Sequence, residues 1–115
     1  EWERIEAEMQ NLKPVLDGTT LKITGGLNRP PMPYNEANRS AFEKARQIAK
    51  DKLDMELIAG GSGGASDGNF VAPLGIPVLD GMGAVGEGYH SDREYIFVKS
   101  LEERAELLAA LIQNW

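Results

Sequence analysis

Apolar side chains recur at helical spacing in three stretches of this chain and alternate with polar ones between them. Trp2, Ile5, Met9 and Leu12 lie among glutamates and an arginine, which predicts an amphipathic helix that ends near Pro14. Its apolar stripe calls for a partner surface. After the Asp17-Gly18 turn, residues 19–24 alternate apolar with polar and predict a half-buried strand, closed by Gly25 and Gly26. Pro30, Pro31 and Pro33 then hold the backbone extended without ladder donors, a stiff connector suited to a domain boundary. Asn35 is placed to cap a helix over residues 36–52, whose Ala41, Ala45, Ile48, Ala49 and Leu53 share a face suited to close packing on a sheet. Residues 55–59 read as a short strand and residues 60–70 as a glycine-rich loop. Ser66 or Asp67 there can cap a short helix through Phe70, Val71, Ala72 and Leu74, with Gly75 at its C-terminal end. Another short strand is predicted over residues 76–79, a second glycine-rich loop over 80–92 and an extended segment over 95–98. Ser100 and Glu103 are spaced as a capping box before a last helix carrying Leu101, Leu107, Leu108, Leu111 and Ile112. Helices alternating with short buried strands indicate α/β layering.

Charge and composition narrow the functions. The chain has 115 residues, 12 Lys plus Arg against 18 Asp plus Glu, and a formal charge of -6. With no clustered cations, it lacks the basic patch that nucleic acids or anionic membranes require, so neither is expected as a partner. No apolar stretch approaches the length of a membrane span, and no basic-then-apolar leader is present. The absence of cysteine removes disulfides and thiol chemistry. A single histidine means that these residues could supply only part of a two-metal hydrolytic centre. The first residue is Glu1, and the opening helix reads as the interior of a longer protein.

Three features carry candidate chemistry. Gly81, Gly83 and Gly86 match the dinucleotide fingerprint in spacing, but residues 87–91 continue as loop and do not open the helix that would meet a pyrophosphate. The loop over residues 60–68 does open a helix and could hold an anion on backbone N–H groups, or could be a flexible connection. No Gly-Lys-Ser or Gly-Lys-Thr comes after it, which excludes a P-loop. His90 lies between Tyr89 and Ser91 in the second glycine loop and reads either as a ligand or as a surface histidine. A serine hydrolase is disfavoured, because no nucleophile elbow exists and Ser91 and Asp92 adjoin His90 instead of being separated from it. Arg29, before two prolines, is a rigidly mounted guanidinium fork that could clamp a carboxylate, or a solvated arginine.

In order and spacing, Gly26-Leu27-Asn28-Arg29-Pro30-Pro31, Gly63-Gly64-Ala65-Ser66-Asp67-Gly68-Asn69, Leu74-Gly75-Ile76-Pro77 and Gly88-Tyr89-His90-Ser91-Asp92 with Glu94-Tyr95-Ile96 resemble one family. It is the co-catalytic zinc metallopeptidase family of glutamate carboxypeptidases, aminoacylases and succinyl-diaminopimelate desuccinylases. The resemblance implies an α/β fold in which residues 1–27 are the last helix and strand of a lid, or dimerisation, domain. Residues 28–115 would be the C-terminal part of the catalytic domain, with helices packed on a mainly parallel sheet. It implies that His90 is a metal ligand, that Arg29 binds the substrate carboxylate and that Gly63 and Gly64 line the substrate site. The implied cofactor is zinc, two ions in the parent protein, with cobalt as an alternative metal. The implied reaction is metal-assisted hydrolysis of an amide beside a free carboxylate, in a small peptide or an N-acyl amino acid. The remaining ligands and the glutamate base have no counterpart here, so the segment alone is expected to be inactive and to need the missing N-terminal part of both domains. A homodimer and a cytoplasmic location are further expectations, with export of the parent left open. The alternative is a small anion-binding or dimerisation module without catalysis.

Overall fold

The computed structural model describes residues 1–115. The chain divides into two compact units, Glu1–Pro30 and Pro31–Trp115.

In the first unit, helix α1 spans Trp2–Gln10. Arg4 bonds to Glu1 and, at 2.6 Å, to Glu8, pairs one turn apart that give a short exposed helix slight, salt-sensitive support. The stripe is left open: no residue of α1 is buried, and Ile5, Met9 and Leu12 are exposed. The strand predicted over residues 19–24 does not form. Its only backbone tie is the Thr19 N–H to the Leu16 carbonyl at 3.3 Å, and alternation without a ladder partner leaves a strand unmade.

The second unit is built on two helices. Helix α2 covers Glu36–Leu53, and the Asn35 side chain accepts the Asn38 N–H at 3.0 Å, which satisfies one of its orphan donors. It ends at Asp54, whose left-handed backbone (φ 50°) breaks the helical path. Helix α4, Val98–Asn114, packs against it. Ala45, Ile48 and Ala49 meet Leu107 and Leu111, and all five are buried. Alanine at two of the three α2 positions lets the helices approach closely. Thus the small-residue face rests on a helix and not, as its composition suggests, on a sheet. Leu53, Met55, Leu57, Leu79 and Met82 pack around this core. Met55 and Leu57 turn inward while Ile58 is 88% exposed, which is strand-like alternation without a strand partner.

Between α2 and α4 lie a one-turn helix α3, Gly68–Val71, continued as a 3₁₀ turn over Ala72–Leu74, and two very short strands. Gly75 ends the turn at φ 77°, as its position after Leu74 predicts. The strands β1, Gly86–Glu87, and β2, Tyr95–Ile96, pair antiparallel with Gly86 opposite Ile96 and Glu87 opposite Tyr95. The chain therefore mixes helices with a small antiparallel sheet, and the mainly parallel sheet expected from the resemblance is not what these residues form. Residues 55–59 and 76–79 carry no ladder hydrogen bonds. At Val78 the N–H goes instead to the buried Asn38 Oδ1 at 2.9 Å, while Asn38 Nδ2 donates to the Pro33 carbonyl at 2.7 Å. One buried amide thus ties two loop segments to α2.

The start of α4 also differs from the expected capping box. The helix begins at Val98, so Ser100 lies inside its first turn. The Ser100 hydroxyl donates to the Phe97 carbonyl at 2.6 Å and accepts the Val85 N–H at 2.9 Å. With the Phe97 N–H bonded to the Val85 carbonyl at 2.9 Å, both backbone groups of Val85 are held at the entrance to α4. A tertiary partner has outcompeted the local cap. Leu107 and Leu111 are buried, but Leu101, Leu108 and Ile112 of the same expected stripe stay exposed. No helix is long and apolar enough to cross a membrane.

Candidate functional site

His90 sits at the end of the β1–β2 hairpin, and the residues around it explain its position. Gly86 is buried against the facing strand, and a Cβ there would lie 2.0 Å from the Tyr95 carbonyl oxygen. Only glycine allows the two backbones to approach this closely. Gly88 has φ 74°, and its Cβ would meet the Arg93 carbonyl oxygen at 2.7 Å. These two positions fix where the loop begins.

The loop is two successive turns that share Ser91. In the first, the Ser91 N–H donates to the Gly88 carbonyl at 3.1 Å, and in the second the Glu94 N–H donates to the Ser91 carbonyl at 3.2 Å. The Ser91 hydroxyl strengthens both, donating to Gly88 O at 2.7 Å and accepting the Arg93 N–H at 3.2 Å. His90 occupies the third position of the first turn at φ 62°, where glycine or asparagine is usual. A left-handed backbone at such a residue costs roughly 1–2 kcal/mol. The surrounding bonds hold it there, with the His90 N–H also donating to Glu94 Oε2 at 3.3 Å and the Tyr89 hydroxyl to the Gly86 carbonyl at 2.7 Å. The residue is exposed. A strained backbone under an exposed imidazole is the kind of feature that accompanies a functional position.

The second piece is the loop before α3. Gly63 and Gly64 are exposed, and Gly64 donates its N–H to Ser62 Oγ at 3.1 Å. Farther along, Ser66 and the buried Asn69 brace the loop: Asn69 Oδ1 accepts the Ser66 N–H at 2.8 Å, and Ser66 Oγ accepts the Gly68 N–H at 3.1 Å. Serine hydroxyls engaged in this way shape backbone and are poor nucleophiles. The same holds for Ser91. Arg29 lies in a bend of the first unit and is partly buried. No hydrogen bond links the loop of Gly63 and Gly64 to the turn of His90. A cavity of about 350 Å³ opens elsewhere, between Arg46, Gln47 and Lys50 of α2 and Met55 and Glu56. Its cations are committed, Arg46 to Glu43 at 2.6 Å and Lys50 to Asp54, whose carboxyl Lys50 holds below the ordinary carboxylate range.

Comparison with known proteins identifies the family of the chain. Residues 5–114 match the family model described as peptidase family M20/M25/M40. The chain belongs to that family. Among curated relatives, carboxypeptidase G2 of Pseudomonas sp. (strain RS-16) is 28% identical over 95 residues, covering 82% of this chain and 23% of its own length. The succinyl-diaminopimelate desuccinylase of Shewanella piezotolerans (strain WP3 / JCM 13877) is 33% identical over 82 residues, covering 71% of this chain and 19% of its own. That of Acinetobacter baylyi is 38% identical over 53 residues, 46% of this chain and 14% of its own. The chain thus spans about a fifth of these relatives. No solved structure matches at the same stringency.

The donor set can be tested against the zinc that the sequence resemblance implies. An exposed imidazole on a fixed backbone fits one zinc position in kind. A complete site takes three or four donors, and nowhere does the chain bring three His, Asp or Glu side chains together. In this M20/M25/M40 chain His90 fits one corner of such a site, and the other donors would have to come from elsewhere. Sequence reasoning singled out His90 but missed Gly86, Gly88 and Ser91 as what holds it. The usable signal was the paired glycines before His90 and a serine followed by aspartate, which favours a turn.

Proposed function

We propose that this chain is one section of a zinc-dependent amide hydrolase acting on a small peptide or N-acyl amino acid that carries a free carboxylate. In this reading residues 1–27 close a lid domain and residues 28–115 form the C-terminal part of the catalytic domain. His90 supplies one metal ligand, Arg29 binds the substrate carboxylate through its guanidinium fork, and Gly63 and Gly64 line the substrate path, where missing side chains admit the ligand to the backbone. Bound metal supplies a water acidified toward neutral pH and polarises the scissile carbonyl. The segment's own task is placement: it mounts the His90 imidazole on a backbone held by its turns and leaves a bare glycine backbone ahead of α3. The observation that carries this reading is the left-handed turn at His90, a costly conformation enforced by surrounding hydrogen bonds, within a chain of a peptidase family. The names of its relatives, a carboxypeptidase and a desuccinylase of a diamino acid, support the substrate class.

The open stripe of α1, with Ile5, Met9 and Leu12 exposed, supports pairing of the lid portion with a second copy. Activity and metal content decide the main proposal. The isolated 115 residues are expected to hydrolyse no N-acyl amino acid in the presence of zinc. In the longer polypeptide that carries this segment, His90→Ala should lower bound zinc and abolish hydrolysis, whereas Arg29→Ala should mainly raise KM for substrates with a free carboxylate. Hydrolysis by the isolated segment, or full activity after His90→Ala, would overturn it.

A further inference from the structure

We infer that Ser91 is the positioning residue of His90: by joining the two turns it sets the backbone from which the imidazole projects, and through that the affinity of the metal position. This rests on the reading of His90 as a ligand. Ser91 uses its N–H, its carbonyl and both functions of its hydroxyl, bonding to Gly88 twice and to Arg93 and Glu94 once each. His90 lies between the first pair of partners and has the only non-glycine positive φ in the second glycine-rich loop, at 62°. The backbone bonds of Ser91 would survive a change of side chain, but the hydroxyl bonds would not. Those two bonds span both turns, from Gly88 to Arg93. Without them the two turns are joined by single main-chain bonds, and a residue with a left-handed backbone is free to return to ordinary regions. The hairpin does not depend on the hydroxyl, because its strand pairs and the clamp of Val85 by Ser100 and Phe97 lie on the other side of Gly88.

A ligand whose backbone wanders binds metal less well. Loss of a group that orients a metal-bound imidazole commonly costs about ten- to hundred-fold in metal affinity. The test compares Ser91→Ala with Ser91→Thr, which keeps the hydroxyl. In the 115-residue chain, the strong intraresidue NOE between amide and Hα that a positive φ produces at His90 should weaken in Ser91→Ala and persist in Ser91→Thr. Amide protection at Phe97, whose N–H is bonded to the Val85 carbonyl at the base of the hairpin, should be unchanged in both. In the longer polypeptide, competition with a chelator should show zinc held about ten-fold or more less tightly in Ser91→Ala, with recovery in Ser91→Thr. An unchanged NOE or unchanged zinc affinity in Ser91→Ala overturns the inference, and so does loss of Phe97 protection, which would make Ser91 a general support of the hairpin. His90→Ala separates the two readings. If it leaves zinc binding intact, the ligand assignment is wrong and the inference falls with it; if it removes zinc while Ser91→Ala does not, only the inference about Ser91 fails.

Discussion

Two stretches within the glycine-rich loops of the second unit, residues 60–64 and 86–88, use glycine for opposite reasons. In residues 60–64, a Cβ added to Gly60, Gly61 or Gly63 would meet nothing within 4 Å, and none of these glycines has a positive φ. Their service is space. In the second loop a Cβ at Gly86 would run into backbone of the facing strand and one at Gly88 into that of Arg93, just before this strand, and Gly88 also has a left-handed φ. There glycine is required by the fold itself. A loop open to solvent can admit a ligand to its backbone, whereas a loop made from close backbone contacts can hold one side chain still. The proposed roles match that division, with Gly63 and Gly64 along the substrate path and His90 on the metal.

Four measurements would break or sharpen the comparison. The largest effect is expected where both loops share a support. Leu107 is fully buried between α2 and the apolar residues that flank both loops, so Leu107→Ala should lower unfolding stability by about 3 kcal/mol and loosen both loops together. Urea titration with hydrogen exchange at Gly64 and Ser91 reads this directly, and loosening of one loop alone would show that the supports differ. Next comes Gly86→Ala, where backbone must shift to make room; a loss of about 2 kcal/mol is expected, with exchange accelerated at Phe97, which is bonded to Val85, but not at Asn69, which is bonded to Ser66. Retention of full stability would show that the hairpin yields easily, and the contrast between the loops would disappear. Gly63→Ala should change stability by no more than about 0.5 kcal/mol, in either direction, since it fills open space. In the longer polypeptide the same substitution should raise KM, and a loss of stability without a change in KM would reverse the assigned role.

The smallest effect concerns the helix end that leads into the first loop. Lys50, by hydrogen bond and charge, holds the Asp54 carboxyl below the ordinary carboxylate range. Because the folded-state pKa is depressed, the contribution is complete above the unfolded carboxylate range and is lost as pH falls through the depressed folded value. Both groups are fully exposed, so salt should erase it. Asp54→Asn, which keeps a residue tolerant of the left-handed cap, should match the parent's urea midpoint in acid and fall slightly below it at neutral pH and low salt. A larger gap in acid would contradict the sign.

What could be read from sequence divides along the range of the interactions. Helix α2 was legible at both ends and along its face, because Asn35, the apolar positions and the break after Leu53 act within a few residues of one another. The start of α4 was not, because Ser100 finds Val85 fifteen positions away and abandons the cap that its local sequence offers. Strands fared worst for the same reason: residues 19–24, 55–59 and 76–79 alternate or run apolar in the expected way, yet a ladder needs a second strand, and pairing is not written in either segment alone. At the candidate site, His90 could be singled out as the sole imidazole in a glycine-rich turn, but its left-handed backbone could not. Gly83 and Gly86 look alike in sequence. Only the proximity of Tyr95 separates them.

The junction of α2 with α4 has an evolutionary consequence. Ala45, Ile48 and Ala49 precede both loops and Leu107 and Leu111 come after them, so the whole intervening stretch is a closed ring of chain whose ends are pinned by one helical contact. Ring closure becomes costlier only slowly with length, by about 0.6 kcal/mol for each doubling. Insertions at the open end of the first loop should therefore be cheap, while the short hairpin around His90, closed by its own turns, stays fixed in size. A chain organised in this way can change the molecules it accepts by altering loop length without disturbing the residue that it holds still.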